Sequence, residues 1–217
     1  NCCRLRLFRM EENLKQLPSG PKRILKIALF GPESTGKTTL AKQLAEYYKT
    51  DWVPEFARDY LQEKWDKHQT ICDVNDMLPI AYGQTQLENE KMATANQYLF
   101  CDTNLMVTKV FSEVYYNYCD PLLDQAAREH EYDLFFLTDI DVPWEKDDLR
   151  DKPEGRETVF SVFKKSLIDN NKPFITLSGD ASLRLKKAVS IIDNLTEALK
   201  NGQSSLEFVQ DYLIQHN

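Results

Sequence analysis

Glycine is sparse in this chain, with 7 residues among 217, so two of them falling in one short turn carries information. Positive charge is in deficit, since 27 Lys and Arg face 34 Asp and Glu for a formal net charge of -7. That balance argues against the basic face that nonspecific nucleic-acid binding uses to displace counterions, and no nucleic-acid partner is expected. No apolar run approaches the ~20 residues needed to span a bilayer, so no membrane partner is expected either. Cysteines number 5, at Cys2, Cys3, Cys72, Cys101 and Cys119, an odd count without the spaced pairs of a zinc site. Reduced thiols in a cytoplasmic protein are the economical reading. Internal repeats and low-complexity tracts are absent as well.

What remains bounds the architecture. A chain of 217 residues that is 42% hydrophobic and 28% charged can bury a sizeable core and fits one α/β domain with an extension or lid, leaving no room for a second catalytic domain. Residues 1–9 are basic and Cys-rich, with too short an apolar stretch for a signal peptide. Followed by Met10, they read as an upstream remnant and are left outside the fold expectation.

The two clustered glycines stand in Gly31-Pro-Glu-Ser-Thr-Gly-Lys-Thr-Thr, a complete phosphate-binding P-loop at residues 31–39. It follows the apolar run 24–30 and precedes a helix-like stretch, 40–48. A turn between a strand and a helix N-terminus directs backbone N–H groups and the positive end of the helix dipole into one concavity, which suits a triphosphate. Gly31, Glu33, Ser34, Thr35, Gly36, Lys37, Thr38 and Thr39 are therefore the candidate residues for the phosphates of a nucleoside triphosphate. Lys37 would reach the outer phosphates, and the Thr38 hydroxyl would ligate Mg²⁺.

Periodicity organises the rest. Residues 24–30 form a continuous apolar run of the kind buried on both faces of a parallel sheet, and helical spacing follows at Leu40, Leu44 and Tyr47 or Tyr48. A brief second strand is expected at 51–54, a helix at 55–65, and a polar, mostly helical stretch at 71–96 interrupted only by Pro79 and Gly83. Strands are predicted at 98–101, 132–138 and 173–177, the last followed by a helix marked by Leu183, Val189, Ile192 and Leu199. Residues 206–213 suit one more amphipathic helix, docked on the domain or on a partner. Strands alternating with helices imply right-handed crossovers and a mainly parallel five-stranded sheet in a three-layer αβα sandwich, the P-loop NTPase arrangement.

Ligands of such sheets gather outside the carboxyl ends of the strands. Asp102 ends its strand as a Walker B-like acid should, where it could hold Mg²⁺ or the acceptor hydroxyl, and Glu55 ends the second strand. Either could accept a proton from a substrate hydroxyl poised against the γ-phosphate. Each could instead cap the helix that follows, a role for which Asp102 is well suited. Residues 139–157 hold Pro143, Trp144, Pro153, Gly155 and twelve charged side chains. A charged surface loop is the plain reading of that segment. In a phosphoryl-transfer enzyme the same position often forms a lid, from which Arg150 and Arg156 would supply positive charge.

Taken together, GPESTGKTTL, the segment VPEFARDYL, the run FCDTNLMVTKVFSEVYY and the segment TDIDVPWEKDDLRD resemble the ribosylnicotinamide kinase domain of the NadR family over most of residues 26–198. The resemblance implies an ATP- and Mg²⁺-dependent cytoplasmic enzyme that phosphorylates the 5′-hydroxyl of nicotinamide riboside, a small-molecule nucleoside, to give nicotinamide mononucleotide for NAD supply. It also implies residue roles. Lys37, Glu55, Asp102 and Arg150 would be catalytic, with Thr38 and Asp102 at the metal. Glu55, Arg58 and Asp102 would approach the nucleoside, joined from the lid by Trp144 and Asp148. A cationic pyridinium ring would suit the Trp144 face, although the same residue could simply pin the lid. Arg156 would meet the nucleotide, and Gly179 and Asp180 lie where related kinases hold adenine.

The chain departs from the wider family, many of whose members carry an adenylyltransferase domain and some a DNA-binding helix-turn-helix. The roughly 25 residues ahead of the first strand are too few for either, and no His-x-Gly-His signature occurs among His68, His130 and His216. The expectation is a stand-alone kinase: an extension at 1–23, a kinase domain at 24–200 with a lid at about 139–157, and a C-terminal helix at 201–217. Two other classes share these features, a kinase of another nucleoside or small metabolite and a non-catalytic regulatory module that holds ATP or GTP. The absence of an Asn-Lys-x-Asp guanine-reading segment favours adenine.

Overall fold

In the computed structural model of the chain, the described residues are 11–18, 23–143 and 155–216. Strand β1 (Leu25–Phe30) is buried along its whole length because it lies at the centre of a five-stranded sheet of order β2-β3-β1-β4-β5. The other strands are β2 (Trp52–Val53), β3 (Tyr98–Asp102), β4 (Leu134–Thr138) and β5 (Phe174–Leu177), and every pairing is parallel. Continuous apolar runs follow from this geometry, since both faces of a parallel sheet are covered by the crossover helices.

The helices are α1 (Lys37–Tyr48), α2 (Phe56–His68), α3 (Met77–Met92), α4 (Leu105–Tyr116), α5 (Pro121–Glu129), α6 (Arg156–Asp169), α7 (Ala181–Lys200) and α8 (Ser205–His216). Alternation along each strand divides the core into two layers. Ala28, Phe30, Leu99, Cys101, Phe135 and Leu137 pack with residues of α3, α4, α5 and α6, where the Phe30 ring meets Phe163 edge-on at 5.0 Å. Ile27, Leu29, Phe100, Leu134 and Phe136 pack with α1 and α7 on the other face. Phe208 and Val209 of α8 join that second layer, so the C-terminal helix docks on its own domain.

The structure corrects several expectations. Pro79 and Gly83 do not interrupt the mostly helical stretch 71–96: a short 3-10 turn at Val74–Asp76 leads into α3, which runs through both. Pro79 is third in the helix, where its missing N–H is one of the first-turn orphans. Gly83 is tolerated mid-helix because the Phe56 ring lies directly on it; a Cβ there would meet the ring at 2.2 Å. Leu183, expected on the buried face of α7, is 42% exposed, while its neighbour Arg184 is buried at 3%. Of the expected lid, Trp144, Asp148 and Arg150 lie outside the described residues, and the segment from Asp139 to Pro143 is tied down as set out below.

Candidate active site

β1 hands the chain from one side of the sheet to the other, since its neighbours β3 and β4 follow much later in sequence. The crevice at the carboxyl ends of these three strands is where an open α/β sheet binds ligands. Gly31 opens the turn there at φ 143°, and a Cβ would stand 2.8 Å from Thr138 Oγ1 and 3.0 Å from the Thr138 carbonyl. Only glycine lets the turn pass so close to the end of β4. The Thr35 hydroxyl lies 2.9 Å from the Pro32 carbonyl and 2.7 Å from the Thr138 hydroxyl, which fixes the turn to β4. Gly36 (φ 80°) leads into α1, whose first residue, Lys37, is 8% exposed and donates to the Pro32 carbonyl at 2.6 Å.

Two arginines hold this turn through its carbonyls. Arg184, the fourth residue of α7, donates to the Thr35 carbonyl and, at 2.9 Å, to the Asp139 carbonyl, and pairs with the Asp141 carboxylate. Arg156, the first residue of α6, donates to the Ser34 carbonyl at 3.3 Å and the Val142 carbonyl at 3.1 Å. With the Pro32, Ser34 and Thr35 carbonyls taken up by side chains, the N–H groups of the turn do not have to compete with them for a ligand. Asp141 also accepts from Gly179 N–H, and Asp139 accepts from Ser178 Oγ at 2.8 Å. Burial works against the Asp141 charge, but the Gly179 bond and the Arg184 guanidinium hold its pKa below the ordinary value.

Across the turn, Thr38 Oγ1 donates to Asp102 Oδ2 at 2.5 Å. Asp102 is 1% exposed, and its Oδ1 is buried without a protein partner. Burial foremost, then the Glu55 charge, raises its pKa to about 6 against the pull of Lys37, Thr38 and Arg58. Asp102 does not cap α4; Asn104 does, accepting from Val107 N at 3.1 Å. Between them Thr103 is held at φ 70°, an unfavourable left-handed conformation for a β-branched residue and one that recurs at functional turns. Glu55 occupies the cap position of α2 without making a side-chain capping bond; its carboxylate lies 3.9 Å from Arg58 Nε.

The cleft enclosed by these elements has a volume of about 380 Å³ and is lined by residues 33–39 together with Glu55, Arg58, Leu61, Phe111, Pro143 and Arg184. Lys37, Thr38, Glu55 and Arg58 thus meet in one cleft, and Asp102 reaches it through Thr38. Gly179 and Asp180 do not line it. The Asp180 carboxylate caps α7 through Leu183 N at 2.8 Å, and Gly179, at φ 103°, gives its N–H to Asp141. Leu61, Phe111 and Arg184 were missed in the sequence. For Arg184 a signal existed, since it shares a helical stripe with the buried Ala188, Ile191, Ile192 and Leu195; for Phe111 none did.

No group of three or more His, Cys, Asp or Glu side chains that could hold a metal occurs among the described residues. One carboxylate beside a hydroxyl, with a buried oxygen still unpartnered, is nevertheless the sparse protein donor set that Mg²⁺ uses when phosphates supply further ligands. Also among the described residues, no helix is long and apolar enough to cross a membrane.

A phosphate-binding turn at the switch point of an all-parallel sheet, with an acid at the end of the adjoining strand, defines a P-loop nucleotide-binding domain. Within that class a family of AAA domains matches residues 26–184, and the chain belongs to that family. Among curated proteins it is similar to the trifunctional NAD biosynthesis/regulator protein NadR of Salmonella typhimurium, with 27% identity over 172 residues, 78% of this chain. The chain spans only about two fifths of such relatives, 42% of that protein and 41% of its Escherichia coli counterpart. Among solved structures, NadR in complex with NR superposes with a TM-score of 0.65 at 22% identity, covering 80% of this chain and 52% of that one. A deoxyadenosine kinase from M. mycoides with bound dCTP gives 0.55 at 15% identity, covering 78% of this chain and 100% of that one.

Proposed function

We propose that this protein is an ATP-dependent kinase that transfers the γ-phosphoryl group to the 5′-hydroxyl of nicotinamide riboside, giving nicotinamide mononucleotide. The observation that carries the reading is the meeting of a P-loop with Glu55 and Arg58 in one cleft. Similarity to a protein named for NAD biosynthesis, and to one crystallised with NR, supports the choice of acceptor. The free thiols of Cys72, Cys101 and Cys119 suit a cytoplasmic location.

The roles follow from position. The N–H groups of residues 31–39 cradle the phosphates, and Lys37 stabilises charge on the phosphoryl group as it leaves ADP. Glu55 lines the cleft and accepts the proton of the attacking hydroxyl, which requires hydrogen-bond reach more than an unusual pKa. Arg58, 3.9 Å from that carboxylate, holds it beside the cleft. Thr38 and Asp102 are the residues that would hold Mg²⁺, which when bound supplies neutralisation of phosphate charge. Arg156 steadies the turn through the Ser34 carbonyl, while the roles expected of Trp144, Asp148 and Arg150 fall outside the described residues. Gly179 and Asp180 support the site from outside the cleft, through Asp141 and the start of α7.

A second reading, phosphorylation of another nucleoside, draws on the deoxyadenosine kinase likeness. A panel of nucleosides assayed with ATP and Mg²⁺ separates the readings. Turnover on nicotinamide riboside is expected; turnover confined to a different nucleoside selects the second reading. A silent panel with tight nucleotide binding would leave a regulatory module instead.

A further inference from the structure

Glu55 sits at a point where the backbone has lost its regular partners. β2 is an edge strand of only two residues, whose register on β3 ends at Val53↔Cys101. Beyond it Pro54 has no N–H, its carbonyl is past the ladder, and Phe56 N is a first-turn donor of α2 that no residue of that helix can satisfy. A residue at the cap position ordinarily satisfies such donors with its own side chain, yet Glu55 makes no capping bond.

Gln84 on α3 takes over that task. It is 2% exposed; its Oε1 accepts from Phe56 N at 2.9 Å, and its Nε2 donates to the Pro54 carbonyl at 3.2 Å. These two backbone groups flank Glu55 on either side. One carboxamide therefore grips the residue before and the residue after the carboxylate, pairing with the backbone as another peptide group would. The orientation of the amide is fixed, because only one assignment of oxygen and nitrogen satisfies both partners. The adjacent Gly83 completes the socket by admitting the Phe56 ring onto the α3 backbone, where any Cβ would collide at 2.2 Å.

We propose that Gln84 is a positioning residue for catalysis: its clamp on Pro54 and Phe56 aims the Glu55 carboxylate into the cleft and releases it from capping. The proposal rests on the reading of Glu55 as the proton acceptor. Aim matters because displacement of a reacting group by about 1 Å can cost on the order of 100-fold in rate.

A double-mutant cycle with ATP and the best acceptor of the nucleoside panel tests it. Glu55→Gln must first lower kcat; if it does not, the reading of Glu55 fails whatever Gln84 does. Gln84→Met keeps the side-chain length and removes both bonds. With active enzyme counted by nucleotide binding, it is expected to lower kcat by at least ~10-fold while the ATP KM stays within about twofold. In the Glu55→Gln background the same change is expected to cost less than about twofold, since the group being aimed is gone. Equal losses in the two backgrounds, or an unchanged kcat in Gln84→Met, overturn the proposal. If Gln84→Met does not fold, Gln84→Glu replaces it in the same cycle, keeping acceptance from Phe56 N and losing donation to Pro54.

Discussion

Replacing Asp102 by Asn should make the protein more stable and less active. The ionised Asp102 is 1% exposed, and the rise of its pKa from 3.8 to about 6 measures how far the folded site disfavours the charge. At about 1.36 kcal/mol per unit, that rise corresponds to ~3 kcal/mol. Asn can still accept the Thr38 hydroxyl, but its amide nitrogen replaces a buried oxygen that has no protein partner, at a cost of ~1–2 kcal/mol. The net gain for Asp102→Asn at pH 8 is then ~1–2 kcal/mol, or a Tm higher by about 2–8 °C for a domain of this size. Because the folded pKa lies above the unfolded one, the wild type takes up a proton on folding between pH 6 and pH 4 and becomes relatively more stable as pH falls. The advantage of the variant should therefore be present above about pH 6 and vanish or reverse by about pH 4. Calorimetric melts of both proteins in EDTA across that range test this, since titrating groups remote from Asp102 cancel in the difference. A gap that does not change with pH, or a variant less stable than wild type at pH 8, would refute the electrostatic reasoning.

Lys37→Ala should lose most of the phosphoryl-transfer rate, at least ~100-fold in kcat, while the melt stays within a few degrees; wild-type-like turnover would sink the P-loop assignment. Arg184→Lys removes the planar fork that joins the Thr35 and Asp139 carbonyls to Asp141, and should raise the ATP KM severalfold with the acceptor KM unchanged. Equal changes in both constants would mark Arg184 as a general fold determinant. Gly83→Ala should destabilise by ~1–3 kcal/mol in urea titrations even though Ala is the better helix former, because the Phe56 ring must move; a stabilised variant would show that α2 and α3 separate easily.

The sheet was legible because parallel strands buried on both faces leave continuous apolar runs, and the turn was legible because seven glycines leave little room for an accidental P-loop. Strand boundaries held to within a residue or two. Helix α3 was the weak point. Its buried stripe is Met77, Ile80, Ala81, Gln84, Thr85 and Glu88, regular in helical spacing, but its last three members are polar, so hydrophobicity stops reporting the face halfway along. Glu88 lies 3.7 Å from the ammonium of Lys26, the one charge inside β1, and accepts from Tyr132 Oη and Gln16 Nε2 at 2.6 Å each. Neither partner reveals the other in the sequence, because the pairing links positions that only the fold brings together.

Arg184 presents the same inversion on α7, a buried cation on a face otherwise filled by Ala188, Ile191, Ile192, Leu195 and Thr196, with an exposed Leu beside it. Burying such groups costs free energy unless each hydrogen bond is returned. Both residues here are met mainly by irregular backbone at the site: Gln84 by the two residues around Glu55, and Arg184 by the P-loop and the end of β4 together with the Asp141 carboxylate, its Nε alone lacking a protein partner. A polar residue standing in phase with an apolar helical stripe is therefore a signal in its own right. It indicates that an irregular segment elsewhere in the chain needs donors or acceptors, and segments at the carboxyl ends of strands are where irregular backbone and chemistry coincide. On that rule Gln84 and Arg184 would be sought from the sequence as supports of the site, whereas Phe111, an apolar residue among apolar neighbours, could be found only by locating the cleft.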